Sequence, residues 1–238
     1  MAEPEALTII PARGGSERLP GKNVAPLAGK PLISWTIEAS LLSRRVRRTV
    51  VSTDDAEIAR ISRECGAEVI ERPAEISGSS ASSESALRHA LDHLKATEGY
   101  RPDLVVFLQA TSPLRRPGDI DGAVETLIAK GADSLLSVAR LPGPGFLWRE
   151  SDGDIRPVNY DPAQRPRSQD MAEKFYVENG SIYVFRPAVL ETTGCRLGGK
   201  IAHYPQSLEL AFEIDDADDL DLISRLAPAI GVLSGKTT

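Results

Sequence analysis

The sequence contains 238 residues, of which 41% are hydrophobic, and its formal net charge at pH 7 is −6. This length suits one large α/β domain, or one domain carrying a small arm, with a sizeable core. The acidic balance argues against a nucleic-acid-binding protein, although a local basic pocket can still bind an anionic substrate. Cys65 and Cys195 lack metal-site spacing. No signal-peptide pattern or apolar run of about 18 residues is present, so we expect a cytoplasmic protein without a membrane partner.

The first predicted element is a short buried strand at residues 7–10, which Pro11 ends because proline has no N–H to donate. The loop that follows combines glycines, cations and small polar residues. These are Gly14, Gly15 and Gly21, then Arg13, Arg18 and Lys22, then Ser16 and Asn23. A loop without side chains brings backbone N–H groups close to phosphate oxygens, and neighbouring cations offset the charge. The loop therefore predicts a polyphosphate site, with a solvated basic turn as the alternative.

Two common phosphate-binding loops do not match this segment. The P-loop has four residues between its glycines and Ser or Thr after its lysine. Here five residues separate Gly15 from Gly21, and Asn23 follows Lys22. No GxGxxG sequence opens a helix directly, so the dinucleotide-binding fingerprint is absent too.

Strand-like and helix-like segments then alternate, which predicts a doubly wound, mostly parallel sheet. Further strands are predicted at 49–52, 68–70, 103–108 and 134–138, and helices at 31–43, after Asp54 and Asp55, through 87–94, and at 119–130. The arginine cluster at 44–48 lacks interleaved aromatic residues, which favours a solvated helix end over a nucleic-acid patch. His89 and His93 are four residues apart but no third metal ligand is evident nearby, which favours surface histidines.

Two later regions break the alternation. Residues 141–176 are rich in proline and glycine and show no sustained periodicity, which is unusual inside a compact domain. Near the end of the chain, Glu213 and Asp215 would share one face if residues 211–215 formed a strand. Paired carboxylates suit Mg²⁺, which takes one or two of them together with substrate phosphates. The alternative is an acidic helix cap, a role we expect for Asp216.

Several segments together resemble one enzyme family. IPARGGSERLPGKN at 10–23, LQATSPLR at 108–115, NGSIY at 179–183 and RLGGK at 196–200 are similar to motifs of the cytidylyltransferases that activate sialic acids and related 2-keto sugar acids with CTP. The resemblance runs from about residue 7 to 226. The QATSP sequence also differs from the QGDEP-type sequence of relatives that activate KDO.

This resemblance implies a Rossmann-like nucleotidyltransferase core at 1–140 and 181–238, with an inserted dimerisation arm at 141–180 and a homodimeric assembly. The implied reaction joins CTP to a sialic-acid-type sugar, with Mg²⁺ as cofactor, and releases pyrophosphate. The implied nucleotide-binding residues are Arg13, Gly14, Gly15, Ser16, Lys22, Asn23, Arg72 and Ser83. The implied sugar-binding residues are Gln109, Arg167, Asn179 and Tyr183. Lys22, Arg13 and Asp215 are the expected catalytic residues, and Asp215 and Glu213 the expected metal ligands.

Four positions depart from the family pattern. Ser79 and Glu213 stand where the family often has aspartate, Ala110 replaces a usual proline, and Trp148 occupies the place of an arm lysine. The departures leave two alternatives open. One is the same chemistry on a legionaminic, pseudaminic, KDN-type or phosphonate acceptor, and the other is a catalytically silent relative that binds a nucleotide.

Overall fold

A computed structural model describes residues 4–141, 146–170 and 174–233. Its strands are β1 (Ala6–Pro11), β2 (Pro26–Leu27), β3 (Lys30–Pro31), β4 (Val46–Thr53), β5 (Glu68–Glu71), β6 (Leu104–Leu108), β7 (Ser134–Arg140), β8 (Trp148–Ser151), β9 (Asp154–Pro157), β10 (Tyr176–Phe185) and β11 (Ile201–Gln206). Its α-helices are α1 (Leu32–Leu41), α2 (Ala56–Glu64), α3 (Ser83–Glu98), α4 (Asp119–Lys130), α5 (Pro187–Thr193) and α6 (Ala217–Ala229). The strands and helices expected from periodicity are confirmed, with ends that shift by a few residues.

Seven of the described strands form one sheet in the order β11-β7-β10-β6-β1-β4-β5. Strand β6 is the middle strand and β1 lies beside it, where Ile9 is opposite Val50 of β4 and Phe107 of β6, both in parallel pairing. Only β10 runs antiparallel to its neighbours, β6 and β7, among the strands of this sheet that the structure describes. The doubly wound, mostly parallel fold class is therefore confirmed.

Alternation along the central strands produces two hydrophobic layers. Ala6 and Ile10 of β1 face a cluster that includes residues of α1, α2 and α4, whereas Leu7 and Ile9 face a cluster with α3 and α5. Since side chains of a strand point alternately to opposite faces, the apolar run of β1 is buried on both sides. A third cluster packs α6 against α1 through Ile223, Ala227 and Leu32.

Caps fix the ends of several helices. Asp55 begins α2 by accepting hydrogen bonds from the backbone N–H groups of Glu57 and Ile58, while its neighbour Asp54 accepts one from Gly14. Asp216 forms a capping box with Asp219 at the start of α6, as expected. None of the helices in the described ranges is long and apolar enough to cross a bilayer.

Two expectations about local structure need correction or comment. Residues 211–215 form no strand, because Ile214 donates its N–H to the Thr111 carbonyl in an isolated contact rather than to a ladder. The predicted arm boundary at residue 180 falls inside β10, whose first residues pair with β7. Within the arm, β8 and β9 form a separate two-stranded sheet. Residues 142–145 and 171–173 of the predicted arm lie outside the described residues.

Candidate active site

A cleft of about 320 Å³ opens where β1 and β6 end side by side. The chain leaves β1 toward β4 on one side of it, whereas β6 lies on the other side. Such a reversal of strand order leaves a crevice at the carboxyl ends of parallel strands, where open α/β sheets bind ligands. The loop after β1 lines it with Arg13, Ser16, Glu17, Arg18, Lys22 and Asn23. The other residues that line the cleft include Phe107, Gln109, Ala110, Thr111, Ser83 and Asp215.

The loop after β1 is held in shape by its own polar contacts. Gly21 has a left-handed backbone (φ 69°) and begins the short 3₁₀ turn Lys22–Val24. Glycine takes this conformation without the steric cost that a Cβ would add. The Asn23 side chain is buried and donates to the Arg13 carbonyl at 3.0 Å. The Arg13 side chain donates to the Gly78 carbonyl at 2.7 Å. The loop therefore presents Arg13 and Lys22 to the cleft from a constrained backbone.

Gly14 and Gly15 occupy different surroundings. The Gly14 N–H donates to Asp54 at 3.1 Å, and a Cβ added at Gly14 would lie 2.6 Å from an Asp55 carboxylate oxygen. A Cβ added at Gly15 would meet nothing within 4 Å. Close approach to α2 therefore requires glycine at position 14 but not at position 15.

Asp215 connects the last loop of the site to the first. One of its carboxylate oxygens lies 2.7 Å from Arg18 Nη2, and the other lies 3.1 Å from Lys22 Nζ. Burial alone would raise the pKa of Asp215, but hydrogen bonds and charges from Lys22 and Arg18 outweigh it and lower the pKa below its ordinary value. Two cations thus share one carboxylate, and with Arg13 the cleft has more positive than negative side chains. This arrangement suits a multiply charged anion.

Glu213 lies beside this site but outside the cleft lining. Burial and the negative charge of Asp215 raise its pKa above the ordinary glutamate value. Its carboxylate packs against Gly180, so closely that an added Cβ there would overlap both Glu213 Oε1 and Gln109 Nε2. The described residues contain no group of three or more His, Cys, Asp or Glu side chains arranged to hold a metal ion. A hard cation held by Asp215 and substrate phosphates, with Glu213 nearby, still fits this donor set.

The remaining predicted nucleotide-binding residues separate into two groups. Ser16 and Ser83 line the cleft with the loop cations. Arg72 does not line it: its buried guanidinium donates to Ser52 through the backbone carbonyl at 2.5 Å and the hydroxyl at 3.2 Å. Burial lowers the pKa of Arg72. Its predicted contact with nucleotide stays a prediction.

The predicted sugar-binding residues are not all at the cleft surface. Gln109 lines the cleft, but Tyr183 is buried behind Phe107, on which its ring stacks at 5.2 Å. Burial and a hydrogen bond to Glu178 raise the pKa of Tyr183. Asn179 is buried. Its side-chain oxygen accepts a hydrogen bond from the Ser137 hydroxyl, and its side-chain NH₂ donates one to the Gln206 side-chain oxygen.

Arg167 lies in the arm, where it is exposed and pairs with Asp170 at 2.7 Å. It does not line the cleft of its own chain. Its predicted contact with a sugar acid stays a prediction.

Three side chains near the site had no assigned role in the sequence-based prediction. Arg18 was expected only as a general loop cation, yet it binds Asp215. The sequence predicts Phe107 as a core residue of β6, yet Phe107 also lines the cleft. Arg115, the last residue of the LQATSPLR segment, is buried beneath the cleft. The sequence signal that could have identified Arg115 was its position after the end of a strand, because residues at such positions surround ligands in α/β folds.

The arginine cluster at 44–48 and the histidine pair lie outside the cleft lining and make other contacts. Arg44 pairs with Asp121 and Arg45 with Glu125, while Arg48 pairs with both Glu68 and Glu98. These contacts agree with a solvated helix end. The rings of His89 and His93 lie 6.2 Å apart, and they belong to no metal-binding group among the residues described.

Comparison with known proteins agrees with this geometry. The cytidylyltransferase family model matches residues 7–226, so the chain belongs to the cytidylyltransferase family. N-acylneuraminate cytidylyltransferase A from Danio rerio is 37% identical over 211 residues, which cover 87% of this chain and 47% of the relative. N-acylneuraminate cytidylyltransferase from Escherichia coli is 30% identical over 217 residues, covering 91% and 50% respectively. The chain spans about half the length of these curated relatives.

Solved structures share the fold. A CMP:2-keto-3-deoxy-manno-octonic acid synthetase complexed with CTP superposes with a TM-score of 0.69 at 21% identity, covering 95% of this chain and 99% of the other. A 4-diphosphocytidyl-2C-methyl-D-erythritol synthase superposes with a TM-score of 0.68 at 13% identity, with the same coverage. At these identities the likeness concerns the fold.

Proposed function

We propose that this chain is a cytidylyltransferase that couples CTP to a 2-keto sugar acid of the sialic acid type, giving the CMP-sugar and pyrophosphate. The observation that carries the proposal is the cleft at the ends of β1 and β6, which Arg13 lines and where Arg18 and Lys22 share Asp215. The family match and the names of the curated relatives support the choice of CTP and of the acceptor.

In the proposed reaction, the anomeric hydroxyl of the acceptor attacks the α-phosphorus of CTP. A new P–O bond forms as the bond from the α-phosphorus to the oxygen that bridges to the β-phosphorus breaks. The hydroxyl proton is released to water, and pyrophosphate leaves. Such phosphoryl transfer depends mainly on positioning and charge neutralisation. Lys22, Arg18 and Arg13 would hold the phosphate oxygens, and Ser16 and Asn23 would complete the loop that surrounds them.

We include Mg²⁺ in the proposal, with Asp215 as the first ligand and Glu213 as the second. When bound, the ion would supply charge neutralisation at the phosphates. Phosphate oxygens would compete with Asp215 for Arg18 and Lys22, since these three side chains all line the cleft and bind one another there. The chain's contribution is to hold Arg18 and Lys22 each within hydrogen-bonding distance of the same carboxylate.

We also propose that two copies assemble through the arm. A two-stranded hairpin is marginally stable by itself, and β8–β9 exposes Trp148 (46%) and Ile155 (65%), with Val158 (58%) just beyond it. An interface with a second copy would cover them. It would also give Arg167 a cleft to reach. Light scattering on the purified protein tests this: a dimer is expected, and a monomer at the concentrations of the assay would contradict it.

The function is tested by incubating the purified chain with CTP, Mg²⁺ and a panel of 2-keto sugar acids while following pyrophosphate release. We expect release with at least one nonulosonic acid, lost on chelation with EDTA and restored by added Mg²⁺. Release with a legionaminic, pseudaminic, KDN-type or phosphonate acceptor alone would keep the chemistry and change the acceptor. CTP binding without release from any acceptor would indicate a catalytically silent relative.

The cellular setting and the absence of other partners stay predictions. Cys65 and Cys195 are both free thiols, which suits the expected cytoplasm. The pairing of Arg44, Arg45 and Arg48 with carboxylates supports the expectation of no nucleic-acid partner. Binding of nucleic acid with a steep salt dependence would contradict it.

A further inference from the structure

Arg115 is a buried cation that forms no ion pair with any described residue. It is 6% exposed, and its guanidinium donates to three oxygens from separate parts of the chain. Nε and Nη2 donate to the Ser181 carbonyl at 3.2 and 2.7 Å, Nη2 also donates to the Gln109 carbonyl at 2.8 Å, and Nη1 donates to Thr36 Oγ1 at 2.9 Å. The side chain therefore joins the end of β6, a point in β10, and α1.

Burying a charge in this position costs desolvation free energy, because the guanidinium is removed from water and no carboxylate binds it directly to offset the loss. Burial lowers the pKa of the Arg115 guanidinium, and the negative charges of Asp119 and Glu213 oppose that effect. Only a planar group with donors on several nitrogens reaches all three oxygens at once. Lysine carries the same charge on a single nitrogen and lacks this fork. The contacts, rather than the charge alone, explain an arginine here.

The points that Arg115 joins determine where Gln109 lies. Its hydrogen bond holds the Gln109 backbone at the carboxyl end of β6. The bond to Ser181 holds β10 where its pairing with β7 shifts register, between Glu178 and Tyr183. Gly180, next to Ser181, has φ +61° and packs directly against the side-chain amide of Gln109 and the carboxylate of Glu213. A displacement of either strand would therefore change the separation between Gly180 and Gln109.

We propose that Arg115 is a positioning residue that fixes the Gln109 side chain in the cleft, where it would contact the acceptor, by joining the end of β6 to the register shift of β10. The inference rests on the proposed function, because it assigns Gln109 to the sugar acid rather than to CTP. Arg115 makes none of its hydrogen bonds to Arg13, Arg18 or Lys22, so we expect its loss to leave these three cations in place. Acceptor binding is then affected more strongly than CTP binding.

The test compares Arg115→Met, Arg115→Lys and Thr36→Val with the wild type, and uses Arg225→Met as a control. Arg225 is exposed on α6, where it pairs with Asp221, and it lies outside the residues that line the cleft. For Arg115→Met we expect KM for the acceptor to rise about tenfold or more, the effect of losing one charged hydrogen bond, with KM for CTP within about twofold. Arg115→Lys should resemble Arg115→Met because the fork is lost. Thr36→Val should change the acceptor KM in the same direction by less.

A second readout does not depend on turnover. Hydrogen–deuterium exchange of wild type and Arg115→Met should show faster exchange at residues 109–115 and 179–185, and unchanged exchange in β4 and β5. If the wild type releases no pyrophosphate with any acceptor, the proposed function fails, and this exchange pattern alone decides the role of Arg115. If exchange in Arg115→Met is the same as in wild type, or is faster throughout the chain, the proposed role of Arg115 is overturned.

Two kinetic results would also overturn the inference in an active enzyme. One is an unchanged acceptor KM in Arg115→Met, and the other is an equal rise of the KM for acceptor and CTP. If Arg115→Met does not fold, Thr36→Val decides the question, since it removes the contact of Arg115 with Thr36, and the 3.5 Å bond from Thr36 Oγ1 to the Gln109 carbonyl, but retains the cation. An acceptor KM for Thr36→Val identical to that of Arg225→Met would contradict the proposal.

Discussion

Two basic regions of this chain have similar compositions and different surroundings. The cluster at 44–48 has its arginines on the surface, where Arg44 and Arg45 each pair with a carboxylate of α4 and Arg48 binds two glutamates. The loop at 11–23 directs its cations into a cleft, where Arg18 and Lys22 must share Asp215. The first region is neutralised by its own neighbours and the second is not.

The comparison separates a structural use of positive charge from a ligand-binding use. A cation with carboxylates of its own has little to gain from an incoming anion. A cation that shares one carboxylate in a concave site, beside another cation, lowers the energy of a phosphate that enters. Counting basic residues in the sequence does not distinguish the two cases. The positions of the carboxylates do.

The largest expected effect comes from Lys22→Ala. The Lys22 side chain is only 13% exposed and faces Asp215, so its removal takes a desolvated cation from the phosphate site. We expect pyrophosphate release to fall about a hundred- to a thousandfold, the usual cost of losing one such electrostatic contact. The thermal midpoint should change little. Arg44→Ala, whose side chain is 86% exposed, is the matched control. Near-normal turnover in Lys22→Ala would exclude the loop as the triphosphate site.

Gly14→Ala is expected to have the next largest effect. Its new Cβ would lie 2.6 Å from the Asp55 carboxylate, which caps α2, so the loop and the cap cannot both keep their positions. We expect KM for CTP to rise about tenfold and the thermal midpoint to fall by about 2–4 °C, as for the loss of a helix cap in a domain of this size. Gly15→Ala should change neither, and similar effects at both glycines would refute the close-approach argument.

The pH dependence of stability tests the shared carboxylate. The pKa of Asp215 in the fold lies below its ordinary value of 3.8, because Lys22 and Arg18 outweigh its burial. The folded state therefore binds this proton less readily than the unfolded state, and the ion pairs stabilise the fold fully above pH 3.8. Asp215→Asn should be modestly less stable than wild type at pH 7, with the difference fading as the pH falls below 3.8. Urea unfolding at both pH values measures this. A difference that persists below that range would point to another cause.

The smallest effects are expected in the arginine cluster. Exposed ion pairs contribute about 0–1 kcal/mol, so the double variant Arg44→Ala and Arg47→Ala should lose little stability in urea unfolding. Its turnover should match wild type within about twofold, since neither residue approaches the cleft. A large loss of turnover would show that surface charge outside the cleft guides the substrate.

Much of the fold was predictable from the sequence because its signals are local. The β1 and β6 runs are apolar on both faces, and α4 shows helical periodicity and ends before Gly131. The loop after β1 was predicted to line a site because its glycines and cations suit an anion, and its cations do line the cleft. These features depend on neighbours a few residues apart.

The parts that were not predictable depend on long-range register. Asp215 meets Lys22 across 193 positions in sequence, and nothing near either residue encodes that contact. Asn179 was predicted to bind the sugar from its motif alone, and its hydrogen bonds to Ser137 and Gln206, 42 and 27 positions away in sequence, could not be read from that motif. Its predicted role stays a prediction. The expected strand at 211–215 failed because Ile214 finds its backbone partner at Thr111, outside any ladder.

The most direct measurement of the central claim is a calorimetric titration of CTP and CMP into three proteins. These are the wild type, the double variant Arg18→Ala and Lys22→Ala, and the double variant Arg44→Ala and Arg47→Ala. We expect the first double variant to lose affinity for CTP much more than for CMP, and the second to match wild type with both nucleotides. Equal losses of CTP affinity in the two double variants would contradict the claim that the cations sharing Asp215 hold the triphosphate.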